Sequence, residues 1–574
     1  MRKPFTVLTI CFAIILTGLE ATNSYSQPVN WLWAMNDRGT GDASQASSVA
    51  IDSRGNILVT GYFNGTSITL GANTLTNVSA GSYDVYVVKY SPTGSVLWAR
   101  SAGGTNNDWG YTISTDSADN VYVSGYFNSS SITFGATTLT NGNPPYGDSF
   151  LVKYDVNGNV IWAINDVTSA ASNSMNSITN TPTAIYGGGV FQASSITFGS
   201  QTVNNANSPN QSPYLVKFNR AGAAIWAKAP TGNTANDYLS SVSADLKGDI
   251  FATGYFASSS LTFGANTIMN TGGYRDVFIV KYDTNGNAIW AKNAGGSDGD
   301  AFGESVATDG KGNVYVAGYF NCSTITFGAV TLTDTGYTYS TSFLVKYSAN
   351  GNVLWARTPG ANTSNAMFGV WADSKGVYGG GTFQGTTIQF GTHTLNNPAA
   401  PDESPYLVKY DTSGKALWAY DPTGENSTYN RIVSIAGTQT GDVAIAGYFA
   451  SSSLTFGALP AITNVTPGAN DMYAAYLYDS TTATEGIAEL ANSNSVLLYP
   501  NPFSTSIMVE FEGNQNLSGS TYFILCDVVG REVMSRELKN QKTDISRGSL
   551  PNGMYLYKIQ NDSGILKSGK LIIN

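Results

Sequence analysis

The sequence predicts an all-β chain: a seven-bladed β-propeller closed by an N-terminal outer strand, followed by a small Ig-like β-sandwich. Three observations carry this expectation. The dipeptide Trp-Ala returns at Trp33, Trp98, Trp162, Trp226, Trp290, Trp355 and Trp418, with gaps of 63 to 65 residues, the cadence of a repeat architecture. Within each interval, short alternating runs separated by Gly, Asn and Asp turns predict four strands. The array also begins on a fragment and ends on its complement, which fits a ring rather than an open row.

Composition sets the frame. A chain of 574 residues exceeds what one ordinary core organises, so several domains or an array is expected. Only 12% of residues are charged while Gly numbers 62 and Tyr 34, which suits many short strands joined by turns. The net charge of -10 argues against nucleic acid as a partner.

At the N-terminus, Arg2 and Lys3 precede an apolar run from Val7 to Leu19 and a polar stretch ending at Ser24-Tyr25-Ser26. That is the pattern of a secretory signal, residues 1–26, cut before Gln27. The run is shorter than the roughly 20 apolar residues of a spanning helix, so no transmembrane span is expected. Cys322 and Cys526 fall in different candidate domains, so no stabilising disulfide is expected.

The unit after Trp290 shows the repeat. Glu304 to Asp309, Asn313 to Phe320, Phe343 to Tyr347 and Asn352 to Ala356 read as four strands, with a hairpin-like insert around Ile325-Thr-Phe-Gly328. Alternation supports the third strand: in the preceding unit Phe278, Val280 and Tyr282 share one face. Gly-x-Phe recurs at Gly61, Gly125, Gly189, Gly254, Gly318, Gly381 and Gly447, and a lysine recurs in the third strand at Lys89, Lys153, Lys217, Lys281, Lys346 and Lys409.

The first element, Trp31 to Ala34, is a fourth strand with no predecessors, and the last, Tyr473 to Tyr478, is a third strand with no successor. Joined, they complete one blade and remove both open edges, whereas a solenoid would need capping repeats. The propeller is therefore assigned to residues 27–479. Units also resemble each other most three apart: those at Trp162 and Trp355 share Tyr-Gly-Gly-Gly-x-Phe-Gln, and those at Trp98 and Trp290 share Ala-Gly-Gly. A sevenfold-symmetric ligand site is not expected of such a ring.

Connections between first and second, and third and fourth, strands are short. The second-to-third inserts and the fourth-to-first loops are long and belong to one end, where binding groups are expected. On that face the ligand candidates are Trp109, placed in a fourth-to-first loop, and Tyr146, Tyr337 and Tyr339 in the inserts. Flat rings with a polar edge suit sugars or protein surfaces, although packing of one insert on the next would employ them equally.

Other chemistry is sparse. The Asp-x-x-Gly-Asn turns, such as Asp283 to Asn287, could offer oxygens to calcium, but capping of backbone groups is the ordinary use and no cofactor is assigned. The third-strand lysines are expected to lie along the sheet with the ammonium in water. His393 is the single histidine, set in a polar turn, and Asp298, Asp300 and Glu304 cluster in one loop as solvated acids. No catalytic residue and no metal ligand is assigned.

A linker spans 480–494. Beyond it, Leu498 to Pro502, Ser506 to Phe511, Tyr522 to Gly530, Gly553 to Ile559 and Gly569 to Asn574 read as strands of a sandwich, residues 495–574. Tyr499, Pro500, Asn501 and Pro502, Asp527 to Arg531 with Gly530, Leu550 to Tyr555 with Gly553 and Tyr555, and the terminal Lys-Leu-Ile-Ile resemble the type A C-terminal sorting domain of the type IX secretion system. The resemblance implies the type IX machinery as partner, export to the extracellular space or outer cell surface, and cleavage that leaves cargo tethered or released. The repeats are similar to the SBBP family of seven-bladed β-propeller repeats, whose core matches Asp309 to Val316; that likeness implies no ligand. The expected function is a noncatalytic module binding glycans or proteins, with a carbohydrate-active hydrolase or lyase using loop acids, or a structural surface component, as alternatives.

Overall fold

The computed structural model describes residues 29–37, 43–479 and 496–573 apart from 143, 145, 169–170, 233, 335–338, 362, 425–428, 502, 512–520, 528–531 and 562–563. The expected signal at 1–26 and linker at 480–494 lie outside them. The described chain is all β, and among its residues no helix is long and apolar enough to cross a membrane.

Seven four-stranded antiparallel sheets succeed one another between residues 29 and 479. In the fifth, Ala301–Thr308, Val314–Phe320, Thr341–Tyr347 and Val353–Arg357 lie side by side in chain order. The seventh takes Asn430–Gly437, Asp442–Phe449 and Asp471–Asp479 from one end of the repeat region and Val29–Asn36 from the other, the last two paired antiparallel from Val29↔Asp479 to Asn36↔Tyr473. The first strand of each sheet packs against the first strand of the next, and Ser44–Ile51 of the first sheet packs against Asn430–Gly437 of the seventh.

Sequence landmarks acquire physical causes here. The first strand of each sheet, innermost in that it packs on the first strands of both neighbouring sheets, carries a bulge at its fourth residue, so two residues oppose one on the neighbour, as at Gly110/Thr112 and Gly303/Ser305. The carbonyl before each bulge presses on the glycine of Gly-x-Phe: a Cβ on Gly189 would lie 1.9 Å from the Ser174 oxygen, and one on Gly318 1.9 Å from that of Phe302. No side chain fits there.

The tryptophans are latches between sheets. The indole N–H of Trp98 donates to the Val156 carbonyl at 3.0 Å and that of Trp290 to Ala349 at 3.0 Å, each carbonyl lying in the next sheet's third-to-fourth turn. Trp418 faces the seventh sheet, whose third and fourth strands come from opposite ends of the repeat region, and its Nε1 has no acceptor among the described residues.

The lysines depart from expectation. Lys89, Lys153, Lys281, Lys346 and Lys409 are buried, not splayed into water, because these sheets are covered on both faces. Their ammonium groups reach carboxylates of the short turns: Lys89 to Asp52 at 2.7 Å, Lys281 to Asp249 at 2.9 Å and Lys346 to Asp309 at 3.8 Å. Several also lie over a ring of the second strand, Lys346 at 5.0 Å from Tyr315. Although burial pushes Asp52 up, hydrogen bonds from Lys89 and Asn56 hold it below the usual carboxylate range. Lys217 and Lys346 also donate to the carbonyls of Thr284 and Thr412 in the next sheet's turn. For Lys409 the Asp479 carboxylate takes that place at 2.7 Å, and it also accepts from Tyr378 at 2.6 Å.

In the Asp-x-x-Gly-Asn turns the carboxylate organises its own loop: Asp283 Oδ1 accepts from the amides of Asn285 and Asn287, and Oδ2 from the Asn287 side chain. Among the described residues no three His, Cys, Asp or Glu side chains gather as a metal set.

The inserts are not free loops. Each folds as a hairpin, such as Thr324–Phe327 with Val330–Thr333, that buries Ile325, Phe327 and Leu332 in the core. Fourth-to-first loops pair with them: Val167–Thr168 adds a strand to Ser195–Phe198, Thr423–Gly424 to Ser453–Thr455, and Thr231 bridges Thr262. Both sets of long connections thus share one end.

Beyond residue 495, a three-stranded sheet (Val496–Tyr499, Ser506–Phe511, Lys542–Ser546) and a four-stranded one (Glu532–Glu537, Tyr522–Cys526, Gly553–Asn561, Gly564–Ile573) share a core that includes Val509, Phe523, Tyr555 and Ile573.

Candidate functional site

At the end bearing the long loops, the second residue of each innermost strand stands beside the x of Gly-x-Phe on its neighbour. That register pairs Trp109 with Tyr126, Tyr238 with Tyr255 and Phe302 with Tyr319. The rings are half-buried. They form two arcs. In one, Tyr62 meets Tyr83 edge-on at 5.2 Å, Tyr83 approaches Trp109 at 6.0 Å and Trp109 lies 5.2 Å from Tyr126. In the other, Tyr238 stacks on Tyr255 at 5.2 Å, Tyr255 meets Phe302 edge-on at 4.9 Å and Phe302 stacks on Tyr319 at 4.8 Å. Val190 and Thr382 stand at the x position in the third and sixth sheets, so the arcs are interrupted three sheets apart.

Charged groups accompany the second arc. The Arg275 guanidinium lies 5.8 Å from the Tyr255 ring and 5.6 Å from Phe302, and is held by Asp300 at 3.2 Å. Arg431 covers Phe368 at 5.4 Å and grips Glu403 with two bonds of 2.6 Å. Glu304, the bulged residue of the fifth innermost strand, is half-buried, and burial pushes its carboxyl up to about 7. Its charge bears on Tyr238, Tyr255 and Tyr319, and burial with that neighbour raises all three phenols.

Trp109 therefore belongs to strand Asp108–Thr115, not to a loop, and has counterparts at the same register in Tyr238 and Phe302. Its ring is drawn into the sheet by Tyr62, Tyr83 and Tyr126. Tyr146 and Tyr339 are exposed in the inserts, while Tyr337 lies outside the described residues. The three loop acids do not converge: Asp298 accepts from the Ser323 amide, Asp300 binds Arg275, and Glu304 stands at the bulge of strand Ala301–Thr308. His393 opens the hairpin strand His393–Asn396. The variable residue of Gly-x-Phe, a tyrosine in most sheets, carries the surface, whereas the recurrence of the motif displays only its fixed residues.

In the C-terminal unit, Asn501 ties the opening motif to the final strand, accepting from the Ile572 amide and donating to the Lys570 carbonyl, both at 2.9 Å. Tyr499 is exposed and bonds Glu510, Pro500 follows it through a cis peptide, Gly553 opens a core strand, and Tyr555 is buried with its hydroxyl on Pro551. Pro502 and Gly530 lie outside the described residues.

Comparison with known proteins separates the two regions. Residues 497–574 match the model of a secretion system C-terminal sorting domain, and residues 289–319 that of a β-propeller repeat. A WD repeat-containing protein of Acanthamoeba polyphaga mimivirus, L264, itself uncharacterized, is 24% identical over 526 residues, covering 77% of this chain. The chain spans about 38% of the length of that curated relative. A polysaccharide lyase of family PL25, an ulvan lyase bound to -[GlcA(1-4)Rha3S]-, aligns at 11% identity over 77% of this chain and 95% of its own, with a TM-score of 0.38. The extracellular domain of the B. thetaiotaomicron system BT4673 aligns at 11% over 96% of this chain and 99% of its own, with a TM-score of 0.18. At these scores neither structure bears on function. The chain thus joins β-propeller repeats to a type IX sorting domain, which implies a secreted or outer-surface protein.

Proposed function

We propose that residues 27–479 close into a seven-bladed β-propeller whose last blade is shared by both ends of the repeat region, and that it is a noncatalytic module binding glycans or proteins through the face bearing the long loops. Residues 495–574, an Ig-like sandwich, direct its export through the type IX machinery. The pairing of Val29–Asn36 with Asp471–Asp479 supports the closed ring. One observation carries the binding assignment: rings left only half-buried and gathered in two arcs at that face, where a scaffold alone would bury them fully or do without them. Trp109 takes part in this surface, and exposed Tyr146 and Tyr339 flank it on the inserts; Tyr337 is proposed with them.

The test pairs a glycan array, run with the full secreted chain, with release of reducing sugars. Binding without turnover, lost in Trp109→Ala, is the expected outcome. Turnover abolished by substitution of a loop acid would replace this reading with a hydrolase or lyase, and silence in both assays would leave a structural surface component. Deletion of residues 495–574 is expected to strand the protein in the periplasm; unchanged appearance outside the cell would refute the export assignment.

A further inference from the structure

Between neighbouring sheets a groove separates the fourth strand of one from the hairpin and third-to-fourth turn of the next. Elsewhere side chains cross it. Arg100 donates to the Gly158 and Asn157 carbonyls at 2.9 and 3.2 Å, and Arg357 to those of Gly414 and Ser413 at 2.8 and 3.3 Å. Between the sixth and seventh sheets Tyr420 and Trp31 fill it, their rings 5.2 Å apart, with Phe456 at 4.9 Å from Trp31. Between the second and third sheets, Ile164 stands where Arg100, Arg357 and Tyr420 stand, and Ala224 where Trp31 does. The hairpin turn records the difference: a Cβ on Gly457 would lie 3.1 Å from Trp31, whereas one on Gly199, its counterpart, would meet nothing within 4 Å.

The space left is a cavity of about 230 Å³ whose walls include the buried side chains of Phe150, Met175, Phe198 and Phe218. One acid lines it. Asp166 is 1% exposed; its Oδ1 accepts from the Ser149 amide at 2.9 Å and hydroxyl at 2.8 Å, while Oδ2 has no partner among the described residues. Alanine or proline stands at its place in five of the other six sheets, so the repeat does not require an acid there. Leaving a buried polar atom unbonded is costly, and a ligand that bonds it removes that cost. Burial, reinforced by Asp148, pushes the Asp166 carboxyl up to about 8, so it keeps its proton at neutral pH. With both Ser149 donors on Oδ1, that proton sits on Oδ2.

We infer that this cavity binds a small uncharged molecule with an apolar body and a carbonyl oxygen, the oxygen accepting a hydrogen bond from Asp166 Oδ2. Apolar walls around one convergent polar group are the ordinary make-up of a small-molecule pocket. An apolar cavity of about 150 Å³ takes up benzene, so the larger volume here has room for a ring that bears an acyl group. None of the arc residues lines the cavity, so the site is independent of the binding face proposed above.

The test titrates the full chain by ligand-observed NMR with two probes of one shape, acetophenone and α-methylstyrene, in which a CH2 group replaces the carbonyl oxygen. Both are expected to bind. Asp166→Leu should lower the ketone-to-alkene affinity ratio about tenfold, while Asp166→Asn, whose side-chain amide still donates, should preserve it. Ala224→Trp copies Trp31 of the seventh sheet and leaves Asp166 untouched; it should abolish binding of both probes with the circular dichroism spectrum unchanged, and it keeps the test decisive if Asp166→Leu does not fold. Failure of both probes to bind, a ratio unchanged in Asp166→Leu or lost in Asp166→Asn, or a ketone still bound by Ala224→Trp would overturn the inference.

Discussion

The two ends of the sheets follow opposite plans. At the short-turn end the same devices recur from sheet to sheet: a tryptophan latched to the next turn, a buried lysine on a turn aspartate, an Asp-x-x-Gly-Asn loop closed by its own carboxylate. At the long-loop end the register is kept but the residues differ, Trp109, Tyr238, Phe302 and Arg431 standing at one position and Val190 breaking a run of tyrosines at another. Repetition marks what holds the array together. Variation on a fixed register marks what the array presents to its surroundings.

Substitutions at the two ends should separate accordingly. The largest loss is expected from Lys89→Ala, which leaves Asp52 buried without its cation and should lower unfolding stability by about 3–5 kcal/mol in chemical denaturation. A cost below 1 kcal/mol would mean that water replaces the ammonium and that the short-turn end is less closed than described. Gly189→Ala, in a sheet without an aromatic pair, should cost about 2–3 kcal/mol because its methyl meets the Ser174 carbonyl.

Titration gives the next effect. Burial, reinforced by Asp148, pushes the Asp166 carboxyl up to about 8, while an unfolded aspartate titrates near 4. Its contribution is fully present below pH 4 and is lost as pH rises toward 8. Asp166→Asn should flatten the fall in melting temperature between pH 5 and 8; an unchanged slope would assign the pH dependence to other acids.

Smaller effects sharpen the contrast. Trp98→Phe forfeits the bond to Val156 and should cost about 1 kcal/mol more than Trp418→Phe, whose indole N–H has no acceptor among the described residues. Tyr319→Ala should cost about 1 kcal/mol, since its ring is only half-buried, while abolishing ligand binding. Equal losses of stability at both ends would erase the distinction.

How far this was visible in the residues follows the same division. The Trp-Ala cadence and the Gly-x-Phe motif expose the strand order because each answers to one steric or hydrogen-bonding demand repeated every 63 to 65 residues. The lysines misled because local alternation is silent on how deeply a sheet is covered, and because Asp52 lies 37 positions from Lys89. Trp109 misled differently: its strand begins one residue earlier, at Asp108, whose carboxylate caps the amides of Asn128 and Ser129. The aromatic arcs arise from register between strands, which spacing along one chain does not reveal.

The account depends most on the seam where residue 29 meets residue 479. Cysteines at Asn30 and Tyr478, which stand opposite each other across that seam, should form a disulfide within one chain under mild oxidation in a Cys322→Ser, Cys526→Ser background, detected by mass spectrometry of the unreduced digest. A high yield of the intrachain bond in the folded monomer is the result predicted; free thiols, or bonds formed only between chains, would contradict it.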